Sequence, residues 1–193
     1  IENSQHYIFI ENQFFIPRPF DDNEKQYLVE NKIALYLINR IIKAAKNKEK
    51  FRVYIFIPLL PGFSGEVKDS GTIQIIMRYT YQTICRFNNL SIIERLNDEL
   101  EDLDQNWEDY IGFFSLRNHA LVNDIPKTEI IYIHSKLMIV DDLYVICGSA
   151  NINDRSMKGS RDSEFAVLIE EKKTEISIIN GKKCKISKFA SYL

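Results

Sequence analysis

Two apolar runs, HYIFI at 6–10 and FRVYIFIPLL at 51–60, bracket a segment, NKIALYLINRIIKAAK at 31–46, whose apolar residues recur at helical spacing. No other feature restricts the fold as much. Short apolar runs bounded by turn formers read as buried strands. The first breaks at the polar cluster Glu11, Asn12 and Gln13 before Pro17 and Pro19 enforce a loop; Pro58 and the Pro61-Gly62 pair close the second. The helix between them carries basic residues toward its end, where the helix dipole favours them. Strand, helix, strand opens an α/β layer arrangement.

Further along, the sequence predicts a Gly-containing loop at 61–71, a helix at 72–86, and an acidic helix opened by Ser91 and Glu94 as a capping box. A strand in YIGFFSL (110–116), a polar loop at 117–128, a hairpin at 132–151 and a last strand, EFAVLIE (164–170), follow. No repeat or low-complexity tract divides residues 1–193, which read as a single domain with 45% hydrophobic residues to fill its core. A net charge of -2 gives no bulk attraction to a polyanion, so no nucleic-acid partner is expected. Three cysteines without a CxxC spacing fit a reducing compartment and argue against a disulfide framework or a metal site. No apolar run reaches the ~18 residues of a membrane span. The termini, IENSQHYIFIEN and ISKFASYL, read as cuts in a longer chain.

The hairpin YIHSKLMIVDDLYVICGSAN (132–151) plants a histidine and a lysine among apolar residues. Strand alternation sends His134 and Lys136 to one face and Ser135, Leu137 and Ile139 to the other. A two-residue turn at Asp141-Asp142 would pair 140 with 143, Ser149 with His134 and Cys147 with Lys136, leaving Asn151 just past the strand end on the same face; a longer turn would slip that register. An imidazole, an ammonium, a hydroxyl and an amide then outline a phosphate site. Lys136 supplies charge, Ser149 and Asn151 donors, and SANINDRSM a helix whose first amides face an anion. His134 is left for covalent or acid–base work.

Asp141 has the opposite parity and sits at the turn, which favours a salt-bridging or capping role over catalysis. Glu164, opening the last strand, is placed to hydrogen-bond the far nitrogen of His134 and fix its tautomer. Asn12 and Gln13, just past a strand, are candidates to line the pocket, since ligands gather beyond strand ends in α/β sheets, with helix capping or loop hydrogen bonding as the equal alternative. Lys43, Lys46, Lys48, Lys50 and Arg52 read as a solvated helix end, with lipid headgroups as the alternative partner. Trp107 and Tyr110 read as core and His119 as a loop residue. HxKxxxxD alone arises by chance in on the order of a per cent of chains of ordinary composition, and GSxN at a fixed offset lowers that by roughly a thousandfold.

His134, Lys136, Asp141, Gly148, Ser149 and Asn151 match without a gap the HKD signature of the phospholipase D superfamily, which the sequence resembles. YIFIENQFFI (7–16), RVYIFIPLLPGFSG (52–65), LRNHA (116–120) and GSANINDRSMKGSRDSE (148–164) look like the C-terminal catalytic half of eukaryotic enzymes of the branch that carries PX and PH domains. The resemblance implies one of two HKD halves, a mixed sheet flanked by helices. It implies hydrolysis of phosphatidylcholine to phosphatidic acid and choline, and transphosphatidylation, through a phosphohistidine, with no cofactor for the chemistry and room for a phosphoinositide activator. His134 would be general acid and then base, Lys136 and Asn151 would hold phosphoryl oxygens with Ser149 in support, and Glu164 would orient His134.

One departure is decisive: neither His6 nor His119 has a lysine two positions on, so the chain holds one HKD motif. The implied partners are a missing N-terminal HKD half, or a second copy, and a phospholipid surface that the protein meets from the cytoplasm as a peripheral enzyme. A dimeric HKD nuclease, a phospholipid synthase and a non-catalytic HKD-like binding module are the alternatives.

Overall fold

The strand–helix–strand opening becomes β1 (Tyr7–Asn12), α1 (Ile33–Lys46) and β2 (Arg52–Phe56), with the two strands parallel, in a computed structural model that describes residues 1–21, 28–65, 67–68 and 71–193. The expected 61–71 loop falls partly outside the described residues. β1 runs on through Glu11 and Asn12 rather than breaking there, because both pair across the sheet, with Leu137 and Lys136. α2 (Thr72–Ile84) and α3 (Ile92–Glu101) follow, and the Ser91–Glu94 capping box forms in full. β3 (Ile111–Phe114) adds in parallel to β2.

The chain then reverses. β7 (Tyr144–Gly148) runs antiparallel to both its neighbours, β6 (Lys136–Val140) and β8 (Ala166–Glu170), and β6 joins β1 antiparallel. The result is a mixed six-stranded sheet in the order β3-β2-β1-β6-β7-β8. Ile8, Ile10, Val53, Ile55, Ile111, Met138 and Val140 point to one face, where α1 and α3 pack Leu37, Ile38, Ile41, Ile92, Leu96 and Leu100 against them. Ile139 and Val145 point to the other face and meet Ala190 of α5 (Lys188–Tyr192).

Two hairpins stand outside this sheet. The expected polar loop at 117–128 is instead β4 (Leu116–Val122) paired with β5 (Ile125–Ile131) around Asn123 and Asp124, both at positive φ. Neither face is covered, so the residues show no apolar alternation. Nor is EFAVLIE the last strand: β9 (Thr174–Ile179) and β10 (Lys182–Ser187) pair around Asn180-Gly181 before α5. Tyr110 is buried in the core and Trp107 packs against it. No helix among the described residues is long and apolar enough to cross a membrane.

Candidate active site

β1, β2 and β3 all end on the side of the sheet where β6 begins, so Lys136 sits at the carboxyl ends of the parallel strands, the region where α/β sheets collect ligands. Its cross-strand partner is Asn12. The Lys136 Nζ donates to Gln13 Oε1 at 2.9 Å and to the His134 carbonyl, and lies 3.5 Å from His134 Nδ1. Partial burial holds the ammonium below the ordinary lysine value, and the nearby Glu164 charge opposes that shift. His134 is exposed in the segment leading into β6, and its Nε2 has no hydrogen bond among the described residues. An ammonium beside Nδ1 favours the tautomer with its proton on Nε2, the free nitrogen.

The register differs from the two-residue-turn expectation. Val140 pairs with Tyr144, so Asp141, Asp142 and Leu143 form a three-residue turn, with Asp141 and Asp142 at positive φ and Leu143 N–H donating to Val140 O. Every pair slips by one: Cys147 lies opposite Leu137, and Ser149 is not opposite His134. Cause and function of Asp141 coincide here. Its buried carboxylate accepts the backbone N–H groups of Gln5 at 2.6 Å, His6 at 2.7 Å and Tyr7 at 2.9 Å, tying the turn to the start of β1. Asp142 accepts the Tyr7 hydroxyl, whose pKa is raised by burial and then by that carboxylate. Five residue steps of about 3.3 Å put Asp141 roughly 17 Å from Lys136, at the far end of β6.

Ser149 and Glu164 meet each other instead of His134. Glu164 accepts from the hydroxyl of Ser149 and from that of Ser156 at 2.5 Å, and these two bonds lower its pKa. The expected bond from Glu164 to the far nitrogen of His134 does not form; the Glu164 carboxylate is taken by the two serine hydroxyls. Ser149 also clips β8 in place, accepting from Phe165 N at 3.0 Å. Beside it, a Cβ on Gly148 would lie 2.3 Å from the Phe165 carbonyl oxygen, so only glycine lets β7 and β8 approach this closely. Asn151 keeps its Oδ1 buried with no donor among the described residues.

Asn12 lines a largely apolar cavity of about 130 Å³ together with Lys136, but its own amide is spent on the backbone. It is buried, its Oδ1 accepts from Phe14 N at 3.1 Å and Ile152 N at 3.2 Å, and its Nδ2 faces Ala150 O at 3.5 Å, so it stitches the GSAN segment to β1. The helix expected from SANINDRSM is the single turn α4 (Asp154–Met157), capped by Asn153, and its start is no anion site. Gln13 lines an apolar cavity of about 240 Å³, walled by Phe14, Phe15, Ile57, Ile76 and Met77. The other two histidines lie elsewhere: His6 is at the opposite end of β1, and His119 Nδ1 meets Thr128 Oγ1 at 2.8 Å on the β4–β5 hairpin. Sequence reasoning passed over Ser156 and Tyr132; both stand inside quoted motifs, but their long-range partners leave no local signal.

The family described as phospholipase D (PLDc) matches residues 1–130 and 125–193. The chain belongs to the phospholipase D family. It is 48% identical over 195 residues to phospholipase D1 of Rattus norvegicus, covering 100% of this chain and 17% of that protein. It is 46% identical over 194 residues to phospholipase D zeta 2 of Arabidopsis thaliana, covering 98% and 18%. The chain thus spans under a fifth of the length of these relatives. Among solved structures, NucT from Helicobacter pylori aligns with a TM-score of 0.38 at 11% identity, over 86% of this chain and 69% of that one. Nuc from Salmonella typhimurium, a phospholipase D family member, aligns at 0.36 and 15%, over 99% and 74%. At those scores neither bears on the chemistry.

Proposed function

We propose that this chain is the second catalytic half of a phospholipase D that hydrolyses phosphatidylcholine to phosphatidic acid and choline at a membrane surface on the cytoplasmic side. The observation that carries the reading is the Lys136 ammonium held beside His134, with a single histidine at the sheet end. Chemistry at phosphorus that passes through a phosphohistidine needs a second one. In this reading the partner half's histidine attacks phosphorus, forming the P–N bond as the P–O bond to choline breaks. His134, as the imidazolium, gives its Nε2 proton to the departing choline oxygen and, now neutral, takes a proton from the water that cleaves the P–N bond.

Lys136 and Asn151 hold phosphoryl oxygens in this reading, Ser149 supports from behind, and the side chains act without a metal or organic cofactor. The apolar cavity beside Gln13 suits a lipid better than a polynucleotide. The buried Asn151 Oδ1, with no donor among the described residues, and the exposed Ile146, Val167 and Leu168 on β7 and β8 support completion of the site by another half-domain. A phosphoinositide remains a proposed activator. Paired with an N-terminal HKD half, the protein is expected to convert phosphatidylcholine and butanol into phosphatidylbutanol, and His134→Ala to abolish that product; normal turnover in the variant would overturn the assignment.

A further inference from the structure

Lys136 is not held by Gln13 alone. Gln13 Nε2 donates to the Tyr132 hydroxyl at 2.9 Å, and the backbone N–H of Gly62 donates to the same hydroxyl at 3.2 Å. The chemistry of the two ends fixes the polarity of the whole chain. An ammonium can only donate, so Gln13 must turn Oε1 to Lys136 and Nε2 to Tyr132; a backbone N–H can only donate as well. Tyr132 therefore accepts twice, which fills both lone-pair positions of its oxygen and leaves its own proton directed away from Gln13 and Gly62. Flipping the Gln13 amide would set an NH₂ against an ammonium and a carbonyl oxygen against the hydroxyl, so the arrangement has one stable sense.

Gly62 is the anchor of this chain. A Cβ there would lie 2.7 Å from Tyr132 Cζ and 2.8 Å from its hydroxyl oxygen, closer than side chains pack. Only glycine lets the backbone of the Pro61-Gly62 turn reach the hydroxyl. We infer that Tyr132 is a positioning residue: with Gly62 it fixes the Gln13 amide, which in turn holds the Lys136 ammonium beside His134, and it ties the loop after β2 to the phosphate site. This rests on the phospholipase D reading for its catalytic consequence and on geometry alone for the link.

Two variants test it from opposite ends. In the enzyme completed with its N-terminal half, Tyr132→Phe removes the acceptor without changing the ring, and Gly62→Ala pushes the ring away from the turn. Each is expected to lower kcat about threefold to tenfold, the worth of one hydrogen bond, with KM for short-chain phosphatidylcholine and thermal midpoint unchanged. Because both break one link, the double variant should lose no more than either single one. Wild-type kcat in Tyr132→Phe, or effects that multiply in the double variant, would overturn the inference. Amide hydrogen exchange at Gly62 separates this from failure of the lipase reading. Tyr132→Phe should accelerate that exchange whether or not the protein cleaves lipid, and unchanged exchange would refute the link itself.

Discussion

Asp141 is the D of the HKD motif, yet its geometry makes it a fastener of the turn, and Asp141→Asn isolates that role. The substitution keeps shape and removes charge. In the better amide orientation Oδ1 stays on His6 N–H and Tyr7 N–H, and an NH₂ group replaces Oδ2 against Gln5 N–H. Two hydrogen bonds fall from charged to neutral strength, about 0.5–1 kcal/mol each, and the third, charge-assisted, is lost outright at about 1.5–2 kcal/mol. Because Asp141 is only 5% exposed, water does not soften the loss. The sum, roughly 3 kcal/mol, corresponds to a fall in Tm of about 6–12 °C for a chain of this size. Thermal unfolding followed by circular dichroism reads the shift, and turnover normalised to folded protein at low temperature reads the chemistry. The structure predicts a large Tm loss with near-normal kcat per folded molecule. A variant with wild-type Tm and no turnover would refute the structural assignment and return Asp141 to the catalytic machinery.

Gly148→Ala forces β7 and β8 apart and should cost about 1–3 kcal/mol in urea unfolding, with Ser149 and Glu164 displaced as well. Ser156→Ala removes one of the two bonds that hold the Glu164 carboxyl down; its pKa, followed by carbon NMR, should rise toward the ordinary carboxylate range. The Lys136 ammonium, held low by desolvation, should give kcat/KM an alkaline limb below the ordinary lysine value of about 10.4. Glu164→Gln removes a charge that stabilises the ammonium, so that limb should move to still lower pH in the measured profile; movement upward would contradict the assigned cause.

Local chemistry was legible and long-range chemistry was not. The Ser91–Glu94 capping box, α1 and the β1–β2 pair follow from periodicity and caps within a few residues. The turn at 141–143 does not, because its length is set by an aspartate bonding residues 5, 6 and 7 that lie over 130 positions away in sequence. That one-residue slip leaves Ser149 off His134, and its hydroxyl bonds Glu164 instead. β4 and β5 escaped notice because a hairpin exposed on both faces has no apolar stripe to read. β9 and β10 did carry a signal, Asn180-Gly181 just after the alternating Ile176 and Ile178, the strongest short hairpin pattern there is. Asn12 drew attention as a pocket residue for its position past an apolar run; its actual work, clamping Phe14 and Ile152, depends on where residue 152 ends up in space.

The central claim is that this chain holds half of a catalytic site, and choline release from phosphatidylcholine vesicles tests it most directly. The chain alone, the chain combined with an N-terminal HKD half, and that combination carrying His134→Ala should be assayed side by side. The account predicts release from the combination only, lost in the variant. Release by the isolated monomer, or undiminished release in the variant, would contradict it.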